Sequence, residues 1–254
     1  MRDRFSLVIF GLAGFLIVFM VTSVFYLYIA AGRTWDLVGQ TLLDQRVLGA
    51  LFISVSSSTL VALLAVAAVI PASYVLATRD FRGKGLVETL LVEFPQTFPP
   101  AAVGLVYLLM LGPTSPVNLA YSFIAVIIAK FYVSAPFAMS LVMRRFKEIR
   151  ASGLDTIART LGADTRQVLL WVMVPMSKTD LLAGFTLTWA RAMGEVAATL
   201  IFAGAIPWRT EIFPSLVYLT SISSPQLALA ASVIAATLSI AALLAFKWVA
   251  GAGR

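Results

Sequence analysis

The sequence predicts an all-α, polytopic membrane protein with about six transmembrane helices, and three observations carry that prediction. Of its 254 residues, 60% are hydrophobic and only 12% charged, with a mean hydropathy of +0.95, too apolar to furnish a water-soluble surface. Six stretches each supply the roughly 20 apolar residues that a hydrocarbon core of about 30 Å requires. The basic residues stand between those stretches, mostly on alternate connections, which is how a chain fixes its orientation in a bilayer.

The first stretch, Phe5 to Ala31, follows Arg2 and Arg4. It exceeds the roughly 7 to 15 residues of a signal-peptide core and reads as a retained helix. The second, Val47 to Thr78, carries Ser54, Ser56, Ser57, Ser58 and Thr59. These hydroxyls bond their own helix carbonyls and permit close packing, a reading preferred to a water-lined face. The third, Leu86 to Leu111, holds Pro95, Pro99 and Pro100, which remove backbone donors and disrupt the helix; freed carbonyls must then face protein or water. Interrupted helices line transport pathways, which makes Gln96 and Thr97 candidates for a polar constriction; a kink that fits a neighbour is the other reading. The fourth stretch runs from Asn118 to Met143 around Lys130, the fifth from Thr179 to Ala205 around Arg191 and Glu195, and the sixth from Gln226 to Ala250.

Each charge at mid-bilayer costs about 2.5 to 3.5 kcal/mol on insertion scales and calls for a partner or water. Lys130 is expected to compensate Glu93 or Glu195, or to raise the potential for an anion. Arg191 and Glu195, four apart, share one helix face in the poorer Arg-before-Glu order. Two readings stand for them: a buried ion pair that fixes packing, or a face turned toward a pathway.

With the N-terminus inside, the cytoplasmic segments hold fourteen basic residues: Arg2, Arg4, Arg79, Arg82, Lys84, Arg144, Arg145, Lys147, Arg150, Arg159, Arg166, Lys178, Lys247 and Arg254. The outer segments hold three, Arg33, Arg46 and Arg209, so both termini are expected in the cytoplasm. This arrangement accounts for the net charge of +7 without a nucleic-acid partner. The chain has no Cys and no His, which removes thiolate and imidazole metal sites, Cys nucleophiles and His-based triads. No G-x-x-x-x-G-K-[ST] loop occurs, so nucleotide hydrolysis would have to come from another polypeptide. The outer connections, about Gly32 to Arg46, Gly112 to Val117 and Ile206 to Pro225, are too short to fold as a binding domain, so capture outside calls for a separate protein. The largest connection, Arg144 to Lys178, is polar yet amphipathic and calls for a cytoplasmic partner.

Inside that connection Leu154, Ile157, Ala158 and Leu161 recur at helical spacing, Gly162 supplies a stop, and a second short helix is expected from Thr165 to Val172, halted by Pro175. The segment resembles the EAA loop of binding-protein-dependent ABC importer permeases. Thr156-Ile157-Ala158, three residues, Gly162, nine residues and Val172-Met173-Val174-Pro175 keep every spacing of E-A-A, G and I-x-L-P. Thr156 stands in the glutamate's place, with Asp155 just before it. A second resemblance, to molybdate, tungstate and sulfate permeases, rests on Ala190-Arg191-Ala192-Met193-Gly194-Glu195, on Ala203-Gly204-Ala205-Ile206-Pro207 with Arg209-Thr210-Glu211, on Pro95 to Gly104, and on Ser134 to Phe137. Together these span roughly residues 47 to 247 of a single permease domain covering 1–254.

The resemblance implies a non-enzymatic translocation subunit in a prokaryotic inner membrane, working as a homodimer. It implies two ATP-binding cassette subunits, which bind ATP and magnesium, and an extracytoplasmic oxyanion-binding protein; the chain itself would hold no cofactor or metal. The loop, about residues 150 to 176, would be a coupling helix whose docking set is Asp155, Thr156, Ala158, Gly162 and Pro175. The pathway set would be Gln96, Thr97, Lys130, Arg191 and Glu195, carrying molybdate or tungstate, with sulfate as the alternative. From a different class, an ion-coupled secondary transporter would use Glu93, Lys130, Arg191 and Glu195 as a relay. An intramembrane hydrolase is disfavoured by the missing His and Cys.

Overall fold

A computed structural model describes residues 4–32 and 34–251; Arg2, Arg33 and Arg254, counted in the charge balance above, lie outside them. All regular elements among the described residues are helical. Helix α1 (Arg4–Ala31) keeps its apolar window exposed on every side, as a helix surrounded by lipid would. It touches the rest of the chain through Tyr28 and Thr237, whose hydroxyls lie 3.1 Å apart. The first outer connection forms a short helix, α2 (Trp35–Leu43). Asp44 then starts α3 (Gln45–Thr78), its carboxylate accepting from the Arg46 and Val47 amides at 2.7 and 3.3 Å, the usual satisfaction of orphan N-terminal donors.

The third stretch does not cross as one helix. Helix α4 (Lys84–Glu88), a π-turn (Thr89–Glu93) and α5 (Phe94–Thr97) form one rod, and α6 (Pro100–Leu111) leaves it at 111°. The prolines supply the cause. A residue before proline is pushed out of the helical region, and here two in succession, Phe98 and Pro99, adopt ψ of 127° and 126°. The π-turn answers Pro95: Phe94 N–H bonds the Thr89 carbonyl five residues back, and this wider turn moves the preceding carbonyls off the proline ring.

Helix α7 (Phe123–Ala151), capped by Ser122 Oγ accepting from Ala125 N at 3.2 Å, runs eight residues past the expected Met143. The short helix α8 (Leu154–Thr160) follows Gly153 at φ 77° and ends at Gly162 at φ 91°. Ala163 N bonds Ala158 O and Gly162 N bonds Arg159 O, both at 3.0 Å, the paired closure of a left-handed C-terminus. Asp164 and Gln167 cap each other reciprocally to start α9 (Thr165–Gln167). Pro175 does not halt this second helix as expected. A π-turn (Val168–Met173), with Val174 N–H bonding Leu169 O, absorbs it, and α10 (Val174–Met176) continues to Ser177. Helix α11 (Lys178–Met193) then departs at 72°.

The fifth stretch also divides. Gly194 to Val196 interrupt it before α12 (Ala197–Ala203). The third outer connection contains α13 (Phe213–Ser223), and α14 (Pro225–Gly251) completes the chain. Four helices are long and apolar enough to cross a membrane, six if each bent pair counts as one span. The core is built on α3, α7 and α11. Tyr74, Phe146, Val168 and Met173 cluster at the end where α8 lies, and Val103, Ala129, Ala198 and Phe202 at the opposite end.

Candidate functional site

Lys130, the eighth residue of α7, is fully buried. Its Nζ donates to Ser57 Oγ at 2.8 Å and Ser58 Oγ at 3.0 Å and reaches the Ser54 carbonyl at 3.4 Å, all on α3. Three oxygens match the three donors of an ammonium. Neither expected carboxylate hydrogen-bonds it: Glu93 is exposed and accepts from Thr89 Oγ1, while Glu195 pairs with Arg191 yet stays close enough to attract the ammonium. Lys130 therefore sits inside the helix bundle with no exposed surface, and the serine-rich face is the packing surface that the sequence indicated. Ser54 Oγ extends the network by accepting from Phe213 N at 2.7 Å, which ties α13 to the same place.

Arg191 Nη1 lies 3.1 Å from Glu195 Oε2; the carboxylate is buried and the guanidinium is about one-third exposed. Glu195 Oε1 also accepts from Ala198 N at 2.9 Å. The interruption at Gly194 thus gains a purpose, since one carboxylate closes α11 and opens α12. A second ion pair escaped the sequence reading. Arg46 Nε and Nη2 donate to Glu211 Oε2 and Oε1 at 2.8 and 2.7 Å, with Glu211 buried and Arg46 half-exposed. The Arg209-Thr210-Glu211 turn was the only signal for it, and nothing in the sequence named Arg46, 165 residues away.

Gln96 and Thr97 lie exposed at the first break, their polar hydrogens given to the Val92 and Phe94 carbonyls at 2.7 and 3.0 Å. Above them Gly104 lets α6 meet α12 closely: a Cβ there would stand 2.6 Å from the Ala198 carbonyl oxygen. The two interrupted stretches are therefore packed on each other. A cavity of about 260 Å³ beside the break is lined chiefly by apolar groups, among them Val69, Leu91, Pro95 and Met139 with Tyr107 and Tyr132. No cluster of metal-ligating side chains occurs among the described residues.

The loop expected to dock a partner is clamped from beneath. Asp155 is buried, accepting from Arg150 Nη1 at 2.8 Å and, more weakly, from Thr156 Oγ1 at 3.4 Å. Arg159 Nη2 donates to the Tyr74 hydroxyl at 2.5 Å. Ala158, placed at the docking surface by resemblance, instead packs half-buried against the apolar cluster around Val168 and Met173. The outward face belongs to Ile157, 56% exposed, and Leu161, 84% exposed, and Thr156 and Thr160 are exposed as well. Gly162 stands in open space, with nothing within 4 Å of a Cβ, so its backbone conformation and not crowding calls for glycine. Pro175 is exposed behind its π-turn.

Residues 70–251 match the family model described as binding-protein-dependent transport system inner membrane component. The chain is 33% identical over 204 residues to the molybdate/tungstate transport system permease protein of Thermococcus kodakarensis, covering 80% of each. It is 29% identical over 188 residues to the sulfate transport system permease protein of Synechococcus elongatus, covering 68% of this chain and 65% of that one. Its fold matches a chain of a bacterial alginate ABC transporter crystallised with a pentasaccharide-bound periplasmic protein, at a TM-score of 0.76 and 14% identity, over 96% of this chain and 92% of that chain. The matched segment, 70–251, takes in both bent pairs, the loop around α8 and the interruption at Glu195, so the chain belongs to the binding-protein-dependent transport system inner membrane components, as a multi-pass ABC-type permease.

Proposed function

We propose that this permease imports a tetrahedral oxyanion, molybdate or tungstate, as a homodimer in a prokaryotic cytoplasmic membrane with both termini inside. Two ATP-binding subunits, which carry the ATP and magnesium, seat on α8 of each copy, and an extracytoplasmic oxyanion-binding protein docks at the opposite end. The observation that carries the coupling role is the outward apolar face of α8, with Leu161 84% and Ile157 56% exposed, on a helix already clamped to its own bundle. A helix with no partner would turn those side chains inward. Force on α8 passes through Asp155 and Arg150 to α7 and through Arg159 and Tyr74 to α3. Thr156, exposed next to Ile157 in the chain, belongs to the docking set; Gly162 and Pro175 shape its ends. Gln96, Thr97 and the exposed side of Arg191 line the route, and Glu195 holds Arg191 in place.

The substrate assignment rests on the Thermococcus relative, 33% identical over four-fifths of both chains; the Synechococcus relative supports sulfate as the second reading. Uptake of labelled tungstate into proteoliposomes, with sulfate as competitor, separates the two. Gly162→Val tests the coupling. A left-handed backbone costs a β-branched residue about 1–2 kcal/mol, spent in the loop and outside the spans, so membrane yield stays at the wild-type level. Co-purification of the ATP-binding subunit, substrate-stimulated ATPase activity or uptake is expected to fall by roughly tenfold, the equivalent of about 1.4 kcal/mol. Wild-type values for all three would remove the coupling role, and uptake driven by an ion gradient without ATP would replace the importer with a secondary transporter.

A further inference from the structure

The extension of α7 beyond Met143 is where the interrupted helices and α8 meet. Its buried side chains, Val142, Phe146 and Ile149, enter the apolar cluster that also takes in Val92 before the first break, Val168 and Met173 before the second, and Ala158 of α8. Its basic residues tie the same elements from the flanks. Lys147 Nζ donates to Glu88 Oε2 at 2.7 Å, on the rod that ends at the 111° break. Arg145 grips the 72° break from both sides. Its Nε and Nη2 donate to the carbonyl of Met176, the last residue of α10, at 3.4 and 3.3 Å, and Nε lies 3.6 Å from Asp180 in the first turn of α11. Arg150 holds Asp155 of α8 at 2.8 Å. Residues 145 and 147, two apart, project about 200° from each other around a helix of 3.6 residues per turn, so the two bent pairs are held from opposite flanks of one helix.

Stability does not account for these ties. Arg145 and Lys147 are 33% and 42% exposed, and ion pairs at such exposure contribute little; the apolar cluster already holds the elements together. What a charge-assisted hydrogen bond adds is a fixed geometry, where apolar contacts allow sliding. The second bend is itself weakly held, since Ser177 is buried there with its hydroxyl unpartnered among the described residues. Its angle is set by what grips its two sides.

We propose that Arg145 and Lys147 are positioning residues that keep both breaks in step with α8. This rests on the reading of the chain as an importer whose ATP-binding subunit seats on α8. Displacement of α8 pulls the end of α7 through Asp155 and Arg150. The end of α7 then carries Glu88 with Lys147, and Met176 and Asp180 with Arg145, so the two bent pairs change angle together. With one tie cut, α8 moves while one bent pair stays behind, and ATP is hydrolysed without passage of the solute.

The transporter assembled with its ATP-binding subunit and binding protein in proteoliposomes supplies the test, read as ATP hydrolysed per tungstate imported. Lys147→Gln and Arg145→Gln should each raise that ratio by about twofold to fivefold, the factor by which an ion pair of this exposure biases a two-state balance, with the ATP-binding subunit co-purifying at the wild-type level. Glu88→Lys should raise it likewise, and Glu88→Lys with Lys147→Glu, which reverses the pair, should bring it back toward wild type. Arg144→Gln removes a basic residue of the same extension whose ion pair, with Glu148 at 3.7 Å, stays within α7, and should leave the ratio unchanged. A purely structural role would lower membrane yield and the thermal midpoint and reduce uptake and hydrolysis together, at an unchanged ratio; that result overturns the proposal, as does a reversed pair no better than either single change. An equal rise in Arg144→Gln would reduce the effect to diffuse charge and overturn it too. Failure of wild type to import either tungstate or sulfate under ATP would overturn the importer reading and the positioning role with it. ATP-driven import by wild type, with the ratio unchanged in Lys147→Gln and Arg145→Gln, overturns the positioning role alone.

Discussion

The ammonium of Lys130 hydrogen-bonds three oxygens of α3 and, among the described residues, no carboxylate. Removing its acceptors should therefore harm the protein more than removing the charge. Ser57→Ala with Ser58→Ala strands a buried cation, a loss of several kcal/mol in order of magnitude, whereas Lys130→Met discards charge and demand together. Thermal unfolding in detergent should rank the serine double variant below Lys130→Met, with Lys130→Met restoring stability when added to the double; no restoration would refute the network. The same logic orders the ion pairs. Glu195 is buried and Arg191 partly exposed, so Arg191→Gln, which strands the carboxylate, should lower assembly more than Arg191→Gln combined with Glu195→Gln. Equal and additive losses would reject the pairing. The sequence exposed these charges because insertion cost can be read from residue type alone. It paired Arg191 with Glu195 because four residues make one helical turn, and it missed the serines around Lys130 because they lie more than seventy residues away.

At the scale of elements, Pro99 and Pro100 were legible as a disruption, but the angle was not. A single kinked helix and a rod folded back at 111° differ in whether one or two pre-proline residues leave the helical region, and that depends on what α6 packs against. Gly104 provides that contact, with the Ala198 carbonyl where its Cβ would be. Gly104→Ala should lower the thermal midpoint by an amount equivalent to about 1–3 kcal/mol, the ordinary cost of overpacking. Gly85→Ala, in α4 with nothing within 4 Å, should be neutral or slightly stabilising by about 0.5–1 kcal/mol. Similar midpoints for the two would show that the crossing tolerates a methyl. A second correspondence was invisible as sequence similarity: each π-turn ends two residues before a proline, and Gly104 and Gly184 each stand nine residues beyond it. Gly184 also brings its helix close, a Cβ there lying 3.2 Å from the Ala138 Cα.

For the whole molecule, the proposed orientation rests on charge asymmetry, and the absence of cysteine makes it directly measurable. Thr114→Cys, in the exposed turn after α6, and Ser152→Cys, in the exposed turn before α8, lie at opposite ends of α7. Intact cells should label Thr114→Cys with a membrane-impermeant maleimide and leave Ser152→Cys unlabelled until they are permeabilised. The reverse pattern would invert the topology and move α8 away from any cytoplasmic partner.

By itself, the sequence determined the helical membrane class, the approximate positions of the apolar stretches, the charges that needed partners and the loop whose left-handed glycine closes α8. All of these depend on composition, on spacing within one or two helical turns, or on the transfer cost of a single residue, so they survive without knowledge of neighbours. Only the tertiary structure decided that the third stretch folds back at 111°, that the fifth divides, that α13 folds in what reads as a loop, and that Arg46 meets Glu211. It also turned Leu161 outward and Ala158 inward, and gathered Arg79, Arg150 and Arg159 around one pocket. Those features arise where distant segments supply each other's hydrogen bonds and packing surfaces, and that energy is stored in contacts between helices, which no local pattern encodes.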